Sequence, residues 1–335
     1  MKKYLLPESG TFYKANLHCH STYSDGRWTP EEIKKAYMRQ GYSIVAYTDH
    51  NVLIPHHELT DENFLAILGT EIDIDEDVKR WVHTRCAHWC ILAIDPENDI
   101  QPCWHREKYQ LQNAVLHRDE VKFDESEPDY EREYSIECIN DMMKTAMDKG
   151  FFVTYNHPTW SLEGFETYSK FKYMHAMEIY NHAAYYEGYD DHNSKEYDEL
   201  LRLGNRIYAI AADDNHNRGA YDSFGGYTMI KAEKLEYRTV MQALLDGNFY
   251  ASEGGPDIHE LYYEDGKVYV TFDAAREAFI SKNVRRSQRV WRDGQLITSA
   301  VFDVREDEDY FRITVVGADG KRSYTNAYFI DEIMK

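Results

Sequence analysis

The sequence predicts an α/β domain followed by a small all-β, sandwich-like module, with the change at Pro256. Residues 15–51, ANLHCHSTYSDGRWTPEEIKKAYMRQGYSIVAYTDHN, read as a strand–loop–helix–strand unit with metal-capable side chains just past the strand ends. That is how α/β barrels build active sites. From Asp257 the pattern changes to short alternating runs separated by Glu264-Asp265-Gly266, Arg292-Asp293-Gly294 and Ala318-Asp319-Gly320, which are turn signals between strands. A chain of 335 residues, 43% of them hydrophobic, suits one large domain (1–256) with a smaller partner (257–335).

The elements follow in order. Ala15–His20 reads as a strand, so His18 and His20 share a face and Cys19 points the other way. Ser24-Asp25-Gly26 is turn chemistry. Thr29-Pro30-Glu31-Glu32 opens a helix with an N-cap, an early proline and early acids, and Gly41 closes it. Tyr42–Tyr47 is an apolar strand ending in Thr48-Asp49-His50-Asn51, followed by a loop with His56 and His57 at the surface. Phe64–Leu68 is a short strand with Glu71 just beyond its end, where a carboxylate can bridge two cations. Asp73 and Asp75 read as a solvated acidic rim.

His88, Cys90 and Leu92 alternate on one face of a strand, which favours His88 over His83 as a site residue. Residues 95–129 are polar and irregular, an insertion, lid or exposed loop with His105 and His117 facing solvent. Apolar residues Ile136, Ile139, Met142, Met143 and Ala146 predict a helix over Tyr134–Lys149. Phe151–Tyr155 is a strand that ends in Asn156-His157-Pro158, the proline holding His157 at the strand mouth. Met174–Asn181 is another, carrying Glu178, with His182 beyond it as a substrate contact or a surface residue. A helix over Asp198–Leu203 leads to the strand Ile207–Ala212, which delivers Asp213, Asp214, Asn215 and His216. Asp214 and His216 face one way and Asp213 the other. Arg218 is a candidate phosphate partner. The strand Phe224–Lys231 and helix Leu235–Phe249 finish the domain.

Composition narrows the function. A net charge of −21 argues against a nucleic-acid groove, which needs clustered Lys and Arg. No apolar run reaches the roughly 18 residues of a membrane span. The five cysteines (Cys19, Cys86, Cys90, Cys103, Cys138) are scattered, so neither a disulfide framework nor a zinc knuckle is expected, and a reducing cytoplasm is. The nine ligand-type residues His18, His20, Asp25, His50, Glu71, His88, His157, Asp214 and His216, nearly all at strand ends, are too many for one tetrahedral ion. They suit two or three divalent cations, Mn²⁺, Zn²⁺ or Fe²⁺ in preference to Mg²⁺ or Ca²⁺.

These motifs resemble the PHP (polymerase and histidinol phosphatase) superfamily of metal-dependent phosphoesterases. LHCHSTYSDG and YTDHN match its first two motifs. Gly69-Thr70-Glu71, AHWCILAI, Asn156-His157-Pro158, Glu178 to Asn181 and Asp214-Asn215-His216 match later ones, and SYTNAYFI is similar to a closing β-module strand. The resemblance implies a distorted seven-stranded β/α barrel. It also implies one ion on His18, His20, Glu71 and Asp214, a second on Glu71, His88 and His157, and a third on Asp25, His50 and His216. The implied activity is hydrolysis of a small phosphorylated or nucleotide-type substrate, with Asp25, His50 and His216 catalytic and Arg218, His182 and Glu178 as substrate contacts. An amidohydrolase-type C–N hydrolase and a non-catalytic metal-containing binding or regulatory module are the competing readings.

Overall fold

Strand direction and the alternation of apolar residues set the frame. The computed structural model describes residues 2–219 and 221–334. Its first strands are β1 (Lys3–Tyr4), β2 (Thr11–Asn16), β3 (Ile44–Tyr47), β4 (Leu65–Asp75), β5 (Cys86–Ala93), β6 (Phe151–Tyr155), β7 (Ala176–Asn181) and β8 (Tyr208–Ala212). After β9 (Tyr227–Ala232) and β10 (Phe249–Ser252) come β11 (Ile258–Glu264), β12 (Lys267–Ala275), β13 (Glu277–Lys282), β14 (Gln288–Trp291) and β15 (Ile297–Asp303). The last are β16 (Tyr310–Val316), β17 (Arg322–Thr325) and β18 (Tyr328–Phe329).

The architecture is mixed α/β, with one large mixed sheet and one smaller antiparallel sheet. A large mixed sheet runs β14-β13-β16-β17-β10-β9-β2-β3-β4-β5-β6-β7-β8, and a separate antiparallel sheet runs β1-β11-β12-β15. Within the first, β2–β3–β4 and β6–β7–β8 are parallel, while β5 is reversed against both β4 and β6. Past β8 the chain returns to its beginning. Asp214 N donates to His18 O and His20 N to Asn215 O, each at 3.0 Å. Residues far apart in sequence thereby share one rim.

Alternation along the strands sorts two cores. Trp89, Ile91, Val153 and Tyr155 point to one side, where the helix Ile136–Asp148 covers them with Ile139, Met142, Met143 and Ala146. Cys90, Leu92, Phe152, Ile67 and Ile210 point to the other, which Val240, Met241 and Leu244 of the helix Tyr237–Leu245 close. Phe152, Leu92 and their neighbours are fully buried, which makes this apolar face the floor beneath the donors described below.

Local chemistry explains several boundaries. The helix Pro30–Arg39 begins with a complete capping box between Thr29 and Glu32, and Gly41 follows it at φ 78°. β2 stops at Asn16, earlier than the strand expected to reach His20, because Asn16 spends its side chain on Asn215 and on Asp213 N. β4 is longer than expected. It pairs with β3 up to Leu68 and then with the reversed β5 from Gly69 to Asp75. Glu71 therefore sits inside a strand rather than past its end. Gly69 permits the crossing, since a Cβ there would lie 2.7 Å from Leu92 Cδ2 and 2.9 Å from Ile91 O.

Other expectations are corrected by burial. His56 is 5% exposed, packed edge-on to Tyr23 and Tyr47, whereas His57 is exposed as expected. His105 is also buried, its Nδ1 accepting from the main-chain N–H groups of Glu107 and Lys108. His117 is half-buried and stacks on Tyr23 at 4.0 Å. The last expected strand, Tyr324–Ile330, splits into β17, β18 and a short helix, Ile330–Ile333.

The large sheet runs across the boundary expected at Pro256, because β17 pairs with β10. Asn326 locks the junction, donating to Gly247 O and Phe249 O at 3.0 Å and accepting from Ala209 N at 2.9 Å. Arg312 adds a fork to Asp198 at 2.7 and 3.0 Å. No described helix is long and apolar enough to cross a membrane.

His175, beside β6, yields a stability prediction. Its ring stacks on Phe152, its Nδ1 accepts from Val153 N at 3.0 Å, and burial holds its pKa down to about 4. The unfolded chain binds this proton first, so the stabilisation is complete above about pH 6.5 and is lost as pH falls towards 4. Urea unfolding at pH 7 and pH 5 should show His175→Gln losing about 1–2 kcal/mol less over that interval than the parent. Equal losses would refute it.

Candidate metal centre

Polar residues at adjoining strand ends point into one rim. Three groups of donors have their ligand atoms within 4.8 Å of one another: His18, His20, Glu71 and Asp214; Glu71, His88 and His157; and His20, Asp25, His50 and His216. All nine expected donors are included. His20 joins two groups, one more than expected.

Glu71 is the hub. Its Oε1 lies 3.2 Å from His18 Nε2, His88 Nδ1 and His157 Nε2, while Oε2 lies 3.3 Å from His20 Nε2 and His50 Nδ1. Asn156 Nδ2 donates to Oε1 at 2.9 Å. Asp214 Oδ1 reaches His20 Nε2 at 3.1 Å and His18 Nε2 at 3.2 Å. Asp25 Oδ2 is 3.2 Å from His216 Nε2, and Oδ1 is 3.8 Å from His50 Nε2.

The supporting residues fix this geometry. Glu178 is fully buried; one oxygen holds His18 Nδ1 at 2.8 Å, and the other accepts from His157 N at 2.9 Å and Asn181 Nδ2 at 2.8 Å. Its expected substrate contact is corrected on that ground, because it has no free or accessible oxygen. It orients the donors instead. Asp49 clamps the loop carrying Asp25, accepting from Ser21 N, Ser21 Oγ and Ser24 Oγ at 2.6–2.8 Å. Asp213 faces away as expected, accepting from Tyr37 and from the N–H groups of Phe224, Gly225 and Gly226. Asn51, His157 and Asp214 adopt positive φ of 59°, 25° and 53°, the kind of strained backbone that gathers at functional sites.

His182 sits at the start of a short helix with its Nδ1 2.8 Å from Tyr180 OH. Arg218 is half-exposed and reaches Asp25 Oδ2 at 2.6 Å. Asp73 is half-buried 3.6 Å from His50 Nδ1, so it borders the cluster instead of lying on a solvated rim. His83 is exposed, and Cys19 is a buried thiol facing away. Asn156 and Asp49 stood within recognised motifs but lacked any signal of their own, since their roles appear only through partners distant in sequence.

The electrostatics are those of an ionised cage. Burial opposes charge on Glu71, yet His18 and His88 hold its carboxyl well below the usual range. Asp214 and Asp25 are likewise lowered against burial, Asp214 by His18 and His20 and Asp25 by His216 and His50. Burial lowers the pKa of His50, but Asp73, Glu71 and Asp25 outweigh it and raise the value to about 9. Two buried atoms, His50 Nδ1 and Asp214 Oδ1, have no hydrogen-bond partner. A buried polar atom of this kind is costly unless something else satisfies it; Asp214 Oδ1, with the Nε2 atoms of His20 and His18 at 3.1 and 3.2 Å, fits a divalent cation.

No family model and no curated protein matches the chain. Solved structures overlap with it. One is a two-domain protein containing a predicted PHP-like metal-dependent phosphoesterase from Bacteroides vulgatus, with 15% identity, 97% of this chain and 98% of that chain covered, and a TM-score of 0.46. A proposed metal-dependent phosphoesterase from Bifidobacterium adolescentis is 16% identical over 72% of this chain and 98% of that one, TM-score 0.41. An amidohydrolase from Chromobacterium violaceum, with bound sulfate and no metal, is 14% identical over 70% and 96%, TM-score 0.41. At such TM-scores these neighbours carry no argument about the site, which stands on its own geometry.

Glu71→Gln should lower the metal content of the purified protein by one or more ions, because the amide offers only one ligating oxygen. Elemental analysis of a folded variant checks this, and an unchanged metal count would exclude a bridging role.

Proposed function

We propose that the protein is a metal-dependent phosphoric ester hydrolase of the PHP kind acting on a small phosphorylated or nucleotide-type substrate. The observation that carries this is the division of Glu71, one oxygen toward His18, His88 and His157 and the other toward His20 and His50. A carboxylate so placed suits cations held close together. His18, His20, Glu71 and Asp214 would hold one ion, Glu71, His88 and His157 a second, and Asp25, His50 and His216 a third. When bound, such ions (Mn²⁺, Zn²⁺ or Fe²⁺) supply Lewis acidity toward phosphoryl oxygens and acidify water.

The chain's own residues give the approach a direction. Side chains of His50 and His216 are 19% and 20% exposed, against 1% for His18 and Glu71, so substrate meets the Asp25–His50–His216 side. Arg218 already holds a carboxylate oxygen there, and its guanidinium can turn its fork to a phosphate. Asp25 and His216 sit where a proton can be held beside a departing oxygen. His182 remains a candidate contact at the rim.

The same reading takes β2 to β8, joined end to end by the His18–Asp214 and His20–Asn215 backbone bonds, as the distorted barrel of a hydrolase domain over 1–256. On this reading residues 257–335 are its β module, and the scattered cysteines of the sequence favour a reducing, cytoplasmic setting.

Mn²⁺-loaded protein should release phosphate from a panel of phosphomonoesters or, with a coupled phosphatase, from phosphodiesters. His50→Ala should reduce turnover by about 100-fold or more. No turnover with ions bound, on any ester, would redirect the assignment to C–N hydrolysis, and no turnover without metal would indicate a binding module.

A further inference from the structure

The segment between β5 and the helix Ile136–Asp148 reaches the metal centre through one side chain. Arg132 lies in the stretch leading into that helix. Its NH1 donates to Asn51 Oδ1 at 2.6 Å and to Asp73 O at 3.0 Å, and its guanidinium lies 4.5 Å from the centre of the Tyr109 ring. Tyr109 OH accepts from Arg132 N at 2.9 Å, fixing the main chain as well.

A guanidinium can only donate, so the Asn51 amide must present its oxygen to Arg132. Its Nδ2 then points at Asp73, and it does hydrogen-bond Asp73 Oδ1. That carboxylate faces His50 Nδ1 at 3.6 Å, a nitrogen that Glu71 Oε2 also approaches at 3.3 Å and that has no hydrogen-bond partner. His50 Nε2 lies on the Asp25 side, at 3.8 Å. Asp73 belongs to none of the three donor groups, so it is placed to take the second ring nitrogen of His50 while the first serves as ligand. Asn51 also sits at φ 59° with its N–H on Glu71 O at 2.8 Å. Gln101, in the same segment, donates to Asn51 O at 3.1 Å and accepts from Leu53 N at 2.8 Å.

We propose that Arg132, Asn51 and Asp73 form a positioning relay that fixes the tautomer and ring orientation of His50, making residues 95–135 a working part of the third metal group. This rests on the metal-centre reading above. It does not depend on the identity of the substrate.

The relay is tested with Mn²⁺ alone, by counting ions and titrating their affinities in the parent, Arg132→Met, Arg132→Lys, Asp73→Asn and the Arg132→Met/Asp73→Asn double variant. Arg132→Met and Asp73→Asn should each weaken one ion by about 10- to 100-fold and leave the others unchanged. The double variant should be no worse than the weaker single one, and Arg132→Lys should recover part of the loss. Affinities within about twofold of the parent in a folded Arg132→Met would overturn the relay. Loss of all ions together with a lowered melting temperature in both Arg132 variants would do the same, marking a scaffold role. A parent that binds no Mn²⁺ overturns the metal centre and the relay together, whereas ions bound without ester hydrolysis would count only against the phosphoesterase assignment.

Discussion

Placing the Glu71 carboxylate, 1% exposed, among five imidazoles is the constraint on which the rest of the structure depends. A buried carboxylate is tolerated only when its charge and lone pairs are answered. Here the answer comes from β2, β3, β5 and β6 at once, because each of the five histidines lies on or just beyond one of those strands. Any shift in sheet register would remove one of them. The reversed β5 is part of the same solution. It brings His88 onto the inward face with Cys90 and Leu92, and it draws β4 onward so that Glu71 is pinned on both sides by main-chain pairing. A carboxylate on a strand interior has less freedom than one on a loop, which suits a residue that two groups must share.

Around this hub the donors are held by a second set of buried polar residues that never face solvent. Glu178 holds the His18 ring nitrogen and Asp49 the Ser24 hydroxyl, while the amides of Asn156 and Asn181 donate to the carboxylates of Glu71 and Glu178. Their value lies in removing alternatives: an imidazole with one nitrogen committed presents the other in one direction. The apolar floor beneath, with Leu92, Phe152 and Ile210, keeps water from competing for those bonds. The smaller β module belongs to this economy of support as well. Through Asn326 and Arg312 it braces the ends of β8 and β10 and the helix Ser194–Arg202, so the module packs against the frame that delivers Asp214 and His216.

Much of this was legible in the sequence. The capped start of the first helix, a helix close to the observed Ile136–Asp148, the span Phe151–Tyr155 of β6 and the outward turn of Asp213 follow from side-chain type and period, while the full set of nine candidate ligands also needed the resemblance of its motifs to a known family. The misreadings share one cause. His56 and His105 looked like surface histidines because polar loops usually are exposed, and both were buried by neighbours that only folding supplies. Glu178 was expected as a contact for substrate from the resemblance of Glu178 to Asn181 to a family motif, and His18, His157 and Asn181 take up both its oxygens. β4 was expected to end at Leu68, whereas pairing with the reversed β5 carries it on to Asp75.

The sequence by itself determined which residues carry chemistry and on what kind of element each stands, since hydrogen-bonding capacity, charge and strand or helix period are local properties of the chain. Tertiary structure alone decided their company. The meeting of His18 with Asp214, the division of Glu71 between two sets of imidazoles, the reach of Arg132 to Asn51 and the continuation of one sheet into the β module all join residues distant along the chain. Such contacts depend on strand order and closure, which no local pattern encodes.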